Sequence, residues 1–230
     1  MFIRLIAVAA IGLLGACTTA KMAVDPELVK KSDAYKISER PGAFSGDRMK
    51  FGPFLATKID RDWTRGSGTT ISSKATPTYK SRQKSQKYRY QFTGKGSWTA
   101  ECRMSGKSQS VGRVGFGMEI GVHCTFNSNA GTGSPQSKFE FRFKGSRLVE
   151  AKGDFKAGQE SIRVTPVLKI QGSSLRMGSP TGYNFFSKEK LIAAVDKLSS
   201  EGPVWLNRKL SQDVRDRVGM VVVALLLLQK

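Results

Sequence analysis

The chain has 230 residues, with 38 Lys and Arg against 18 Asp and Glu, a formal charge of +20 and a single His. That length fits one domain, or one domain with a tail, and one His excludes any multi-histidine metal site. Apolar residues make up 39% of the chain, enough for a core, and 24 Gly with 13 Phe favour short strands and turns over a helical bundle.

The first segment reads as an address. Met1-Phe2-Ile3-Arg4 is a short basic start, and Leu5 to Leu14 is an apolar run too short to cross a bilayer. This is the layout of a cleaved export signal over residues 1–16. The ending Leu14-Gly15-Ala16-Cys17 resembles the lipobox of bacterial lipoproteins. The resemblance implies that Cys17 takes diacylglycerol and acyl chains such as palmitate, and becomes the first residue of the mature chain. That chain has 214 residues and, without Arg4, a charge of +19. Thr18 follows, not the Asp that retains such proteins at the inner membrane. The implied place is the outer membrane, lipid-anchored and facing the periplasm. Each acyl CH₂ buried in the bilayer contributes about 0.8 kcal/mol, so attachment does not need the positive charge.

Residues 17–50 read as the lipidated N-terminus and a tether, since no period is sustained there. A short helix over Pro26 to Lys36 fits, with Pro26 in its first turn. The β-domain is expected over 51–230. Tyr88, Tyr90 and Phe92 alternate with polar residues, as do Phe139, Phe141 and Phe143, the pattern of half-buried strands. Pro166 marks an edge or a bulge among Ile162, Val164, Val167 and Ile170. Turn residues punctuate the runs, as at Gly94-Lys95-Gly96 and Asn127-Ser128-Asn129. About eleven or twelve strands result, mainly β, in an antiparallel barrel or closed sandwich.

The most charge-asymmetric stretch lies between Trp63 and Ala100. It contains Lys80, Arg82, Lys84, Lys87 and Arg89 and no Asp or Glu, with Tyr79, Tyr88 and Tyr90 interleaved. These five cations form the candidate site for an anionic ligand, a lipid or lipopolysaccharide phosphate. Alternatively they are the solvated face of a basic protein. The neighbouring Asp60-Arg61-Asp62-Trp63 reads as a strand end with salt bridges, or as a rim site with Trp63 stacking on a sugar.

Cys102 and Cys124 remain once Cys17 is lipidated, an even pair in an oxidising compartment. Trp98, Ala100, Cys102 and Met104 share one strand face, and Met118, Ile120, Val122, Cys124 and Phe126 share another. Both thiols then point into the core, which makes a structural disulfide the reading and two buried free thiols the alternative.

The end of the chain differs from the rest. Ser211 can cap a helix with Asp213 and Asp216 in its first turns, and Val218 to Leu228 is apolar on every side. Eleven residues rise about 16 Å, half a hydrocarbon layer, so a helix over 211–229 is expected inside the β-structure. A membrane-dipping tail is the alternative. Gly182-Tyr183, Leu191 to Asp196, Pro203-Val204-Trp205-Leu206 and Asp213 lead into this helix. The order resembles the end of the tubby C-terminal-like barrels, the group of LURP-one-related proteins and phospholipid scramblases. The resemblance covers about the last fifty residues and implies a twelve-stranded barrel wrapped around its last helix, with a lipid-headgroup role. The export signal and the Cys102–Cys124 pair depart from the cytosolic members of that group.

Enzyme signatures mostly fail. Gly106-Lys107-Ser108 ends like a phosphate-binding loop, but Glu101 stands where that motif requires Gly. Gly112, Gly115 and Gly117 are out of order for a dinucleotide fingerprint. His123 falls on a polar strand face with Glu119 and Thr125, and nothing selects Asp60, Asp62, Glu101 and Glu119 as an acid pair. The expected function is therefore a non-catalytic outer-membrane lipoprotein without cofactor or metal. Its basic domain contacts anionic envelope components: anionic lipid, lipopolysaccharide or an acidic envelope protein. The alternatives are a structural or assembly partner of an envelope complex, and a hydrolase of envelope polymers. Nucleic acid is disfavoured by address and by the lack of a motif.

Overall fold

A computed structural model describes residues 20–41, 46–62, 65–72, 78–112, 114–129, 136–145, 150–157, 160–199 and 201–228. The chain begins with helix α1 (Pro26–Lys31) and strands β1 (Ser32–Tyr35), β2 (Ile37–Ser38), β3 (Met49–Phe51), β4 (Phe54–Arg61) and β5 (Arg65–Ile71). Three long strands follow, β6 (Tyr79–Thr93), β7 (Ser97–Val111) and β8 (Val114–Ser128). Then come β9 (Ser137–Gly145), β10 (Glu150–Ala157), β11 (Glu160–Val167), β12 (Gly182–Ser187), β13 (Lys190–Asp196), β14 (Val204–Asn207) and helix α2 (Gln212–Leu226).

All pairings between these strands are antiparallel and most join sequence neighbours, as short turns require. The hydrogen-bonded path runs β1-β14-β13-β12-β11-β10-β9-β8-β7-β6-β4-β3-β2, with β5 paired to β6 off the path. Its two ends, β1 and β2, are separated in sequence by Lys36 alone, so one bent segment pairs with β14 and then with β3. The sheet is thereby a nearly closed barrel, which leaves almost no exposed edge. Pro166 does sit at a local edge. It pairs with Tyr183 of β12, whereas the β10–β11 ladder stops at Gly153–Val164.

Period two sends one residue set inward from the long strands of the ring, whereas β5, off the path, is exposed throughout. Tyr88, Tyr90 and Phe92, then Phe139, Phe141 and Phe143, are all buried. The last helix fills the space they surround. Gly219 is buried and the other residues from Val218 to Leu226 are each at most 3% exposed, the enclosure that a helix apolar on all sides requires. Ser211 caps it, accepting from the Val214 amide at 3.4 Å. Its observed end is Leu226, short of the expected 229.

Polar contacts hold the helix in register with the ring. Tyr88 Oη donates to the Ala224 carbonyl at 3.0 Å, and Tyr90 Oη to that of Met220 at 2.7 Å. At the amino end, buried Asp216 accepts from the Lys95 and Gly96 amides in the β6–β7 turn and from Gln212 Nε2. Arg215 donates to Asp33 Oδ2 at 3.1 Å and to Tyr35 Oη at 2.6 Å. That guanidinium holds the Asp33 carboxyl below the usual carboxylate range, and burial pushes the Tyr35 hydroxyl up. At the carboxyl end, Arg40 donates to the Leu226 and Ser199 carbonyls, a cation where the helix dipole favours one.

The expectation of a tether over residues 17–50 is corrected. Helix α1, strands β1 and β2 and the start of β3 lie within that range, and β1 and β2 close the ring. The helix expected over Pro26 to Lys36 stops at Lys31, where the chain turns extended at Ser32. Even Met22 is fixed: it bridges to Ile170, and its amide donates to buried Asp196 at 2.9 Å. Met22 and Leu28 pack on the outside of the ring against Ala194 and Trp205. Between residues 53 and 207 lie eleven strands, β4 to β14, as expected, and β1 to β3 bring the sheet to fourteen among the described residues. Cys17 and the export signal lie outside the described residues.

Candidate functional site

Unequal lengths open one end of the barrel. The 15 residues of each long strand, β6, β7 and β8, extend about 50 Å, whereas the 15 residues of α2 rise about 22 Å. Tyr90 is level with Met220 and Tyr88 with Ala224, so β6 runs antiparallel to the helix. Moving from Tyr88 toward Tyr79, the strand passes the carboxyl end of the helix and continues as a wall above the mouth of the barrel.

Alternation along β6 sorts its basic residues. Gln86, Tyr88, Tyr90 and Phe92 face the interior and are buried, so Lys84, Arg82 and Lys80 belong to that same face above the rim. Lys87 and Arg89 have the opposite parity and are exposed on the outer wall. There Arg89 pairs with Asp60 at 3.1 Å and lies opposite Glu101 in the ladder. The five cations read as one patch are therefore two groups. The stretch is acid-free in sequence, but β4 and β7 bring acids to its outer half.

Arg82 and Lys84 of the inner group border a pocket of about 280 Å³ at the mouth. Its apolar lining is Met104, Ile120, Phe141, Phe143, Tyr183 and Leu228, and its polar rim includes Arg82, Lys84, Ser108 and Lys197, while Lys107 and Glu119 border it from strand positions of outward parity. Among the described residues, no acid is ion-paired with Arg82 or Lys84. The amino-terminal segment reaches the barrel at this same end. Met22 is bonded to Asp196, next to Lys197, and its sulfur fills the space beside Gly182, next to Tyr183.

Among the remaining candidates, the acids and His123 lie on the outer wall. Asp60, Asp62, Glu101 and His123 share a shallow hollow of about 680 Å³ with Lys87, Arg89 and Arg103, acids and bases interleaved. His123 Nδ1 is 3.3 Å from Glu140 Oε1, and both side chains are more than half exposed. Cys102 and Cys124 are disulfide-bonded, directly opposite each other in β7 and β8 and buried under the ring. Trp63 lies outside the described residues. Among the described residues, no three His, Cys, Asp or Glu side chains form a metal-binding group. Nor is any helix among them long and apolar enough to cross a membrane.

Compared with known proteins, the chain matches no family model, no curated protein and no solved structure.

Ile120, Phe143, Lys197 and Leu228 were not singled out as site residues from sequence. Their types were legible as core or surface. Their meeting at the mouth depends on where α2 stops relative to three strands, and no local pattern reports that.

Proposed function

We propose that the protein is a non-catalytic lipoprotein of the outer membrane, anchored through Cys17, whose barrel mouth faces an anionic membrane surface. The observation that carries this reading is the coincidence of two features at one end. The amino-terminal segment meets the barrel at Met22, and Lys80, Arg82 and Lys84 rise above the rim there. Four residues separate Cys17 from Met22, five steps that span at most about 18 Å when fully extended. A lipid at Cys17 would hold this end of the domain close to the bilayer. Cations near an anionic surface contribute about 1 kcal/mol each. The ring of strands around a terminal helix also supports the resemblance to the tubby C-terminal-like barrels, and with it a lipid-headgroup role.

Cosedimentation with vesicles tests the reading. The chain from Thr18 onward contains every described element and removes the lipid from the comparison. At low salt it is expected to bind phosphatidylglycerol vesicles and not phosphatidylcholine ones. Lys80→Gln, Arg82→Gln and Lys84→Gln together should weaken binding by about 100-fold, and Lys87→Gln with Arg89→Gln by little. Equal losses from both sets, or equal binding to neutral vesicles, would sink the orientation.

A further inference from the structure

The mouth pocket combines two chemistries that a flat electrostatic contact does not need. Its floor is apolar and concave, made of side chains that continue the inward pattern of the barrel at the end of α2. Its rim carries the cations Arg82 and Lys84, at inward positions of β6. An inorganic anion would leave the floor unused, and a neutral hydrocarbon would leave the rim unused. A ligand with both parts satisfies both. Size narrows the class further. The pocket, at about 280 Å³, is at the small end of ligand sites, suited to one chain and not to a diacyl lipid.

We propose that this pocket binds a single-chain anionic lipid. The acyl chain lies against Ile120, Phe141, Phe143 and Leu228, and the carboxylate or phosphate is held by Arg82 and Lys84. Arg offers a planar fork of donors to either headgroup, and Lys a point charge. Such a lipid would come from the membrane face proposed above, and the site depends on that reading for its supply alone.

Gly106 provides the test. It lines the pocket from β7, and a Cβ built there meets nothing nearer than the Glu119 carbonyl at 3.8 Å. A larger side chain at this position can thus enter the pocket without forcing the backbone apart. Binding is read with a fluorescent fatty acid, added below its micelle concentration to the chain from Thr18 onward. Saturable one-to-one binding is expected, displaced by unlabelled palmitate and by lysophosphatidic acid, whose relative potencies identify the preferred headgroup. Gly106→Phe should lower affinity at least about tenfold, and Ile120→Trp, from the next strand, should do the same. Arg82→Gln with Lys84→Gln should lower affinity for the acid about tenfold and leave the matching fatty alcohol unchanged.

Unsaturable binding, unchanged affinity in both pocket-filling variants, or an alcohol bound as tightly as the acid would each overturn the site. Vesicle binding is measured on the same samples. Gly106→Phe should keep it, and an unsubstituted protein that binds anionic vesicles but no fatty acid refutes the pocket alone. Fatty-acid binding without vesicle selectivity refutes the membrane orientation alone.

Discussion

Tyr88 and Ala224, 136 residues apart in sequence, are joined by a hydrogen bond of 3.0 Å from the barrel wall to the helix inside it. Ala224 is in the last turn, where the Leu228 amide that could reach its carbonyl bonds to Leu225 instead. The tyrosine therefore satisfies an acceptor that the helix itself leaves open. Tyr88→Phe should cost about 1–3 kcal/mol, because it strands a buried carbonyl. Tyr90→Phe should cost less, about 1 kcal/mol, since the Met220 carbonyl lies within the helical ladder. Urea unfolding of the two variants gives the order, and a larger loss at Tyr90 would contradict it.

Alkaline pH should unfold the barrel. Burial pushes the hydroxyls of Tyr88, Tyr90 and Tyr183 well above the ordinary tyrosine value. An acid whose folded pKa exceeds its unfolded one leaves stability intact below the unfolded value, about 10, and removes it as pH rises beyond. Each of the three should then contribute a loss of roughly 1.4 kcal/mol per pH unit. Tyrosinate absorbance should rise together with the loss of β circular dichroism. Ionisation of all five tyrosines with the fold intact would contradict the burial argument.

Gly94 and Asp216 should be coupled. A Cβ at Gly94 would lie 2.4 Å from Asp216 Oδ1, and that carboxylate is held by Gln212 and two turn amides. Gly94→Ala must displace a buried charge from its donors, and Asp216→Ala removes the charge and strands those donors. Each should cost about 2–3 kcal/mol, and the double variant clearly less than the sum, because both damage one contact. Strict additivity in a double-mutant cycle would show that the two act separately.

The fold was legible to the extent that it rests on local periods. Phe139, Phe141 and Phe143 announced a strand, and Val218 to Leu228 a helix needing enclosure on all sides. The cysteine pair was legible for the same reason, since Cys102 and Cys124 both have inward parity and the structure bonds them. Residues 32–38 were not, because each half pairs with a different neighbour and is too short to show alternation. The division of the five cations between two faces has a simpler cause. Lys84 and Lys87 were grouped by closeness in sequence, although their odd spacing already placed them on opposite faces of a strand. What no sequence pattern carried was the height of the strands over the helix end, and with it the pocket.

The Cys102–Cys124 bond closes a hairpin segment with a separation of 22 residues. In the chain-entropy picture this stabilises by roughly 3 kcal/mol, by restricting the unfolded chain. The folded ladder should survive its loss, because Ala100–Phe126 and Met104–Val122 pair on either side of it. Cys102→Ser with Cys124→Ser should therefore fold and melt about 6–12 °C lower. Both sulfurs are buried, Cys124 completely, so a reductant reaches the native bond only when the barrel opens. Reduction by dithiothreitol should accordingly speed up with urea, in step with unfolding. Fast reduction of the folded protein, or equal melting with and without the bond, would count against a buried structural role.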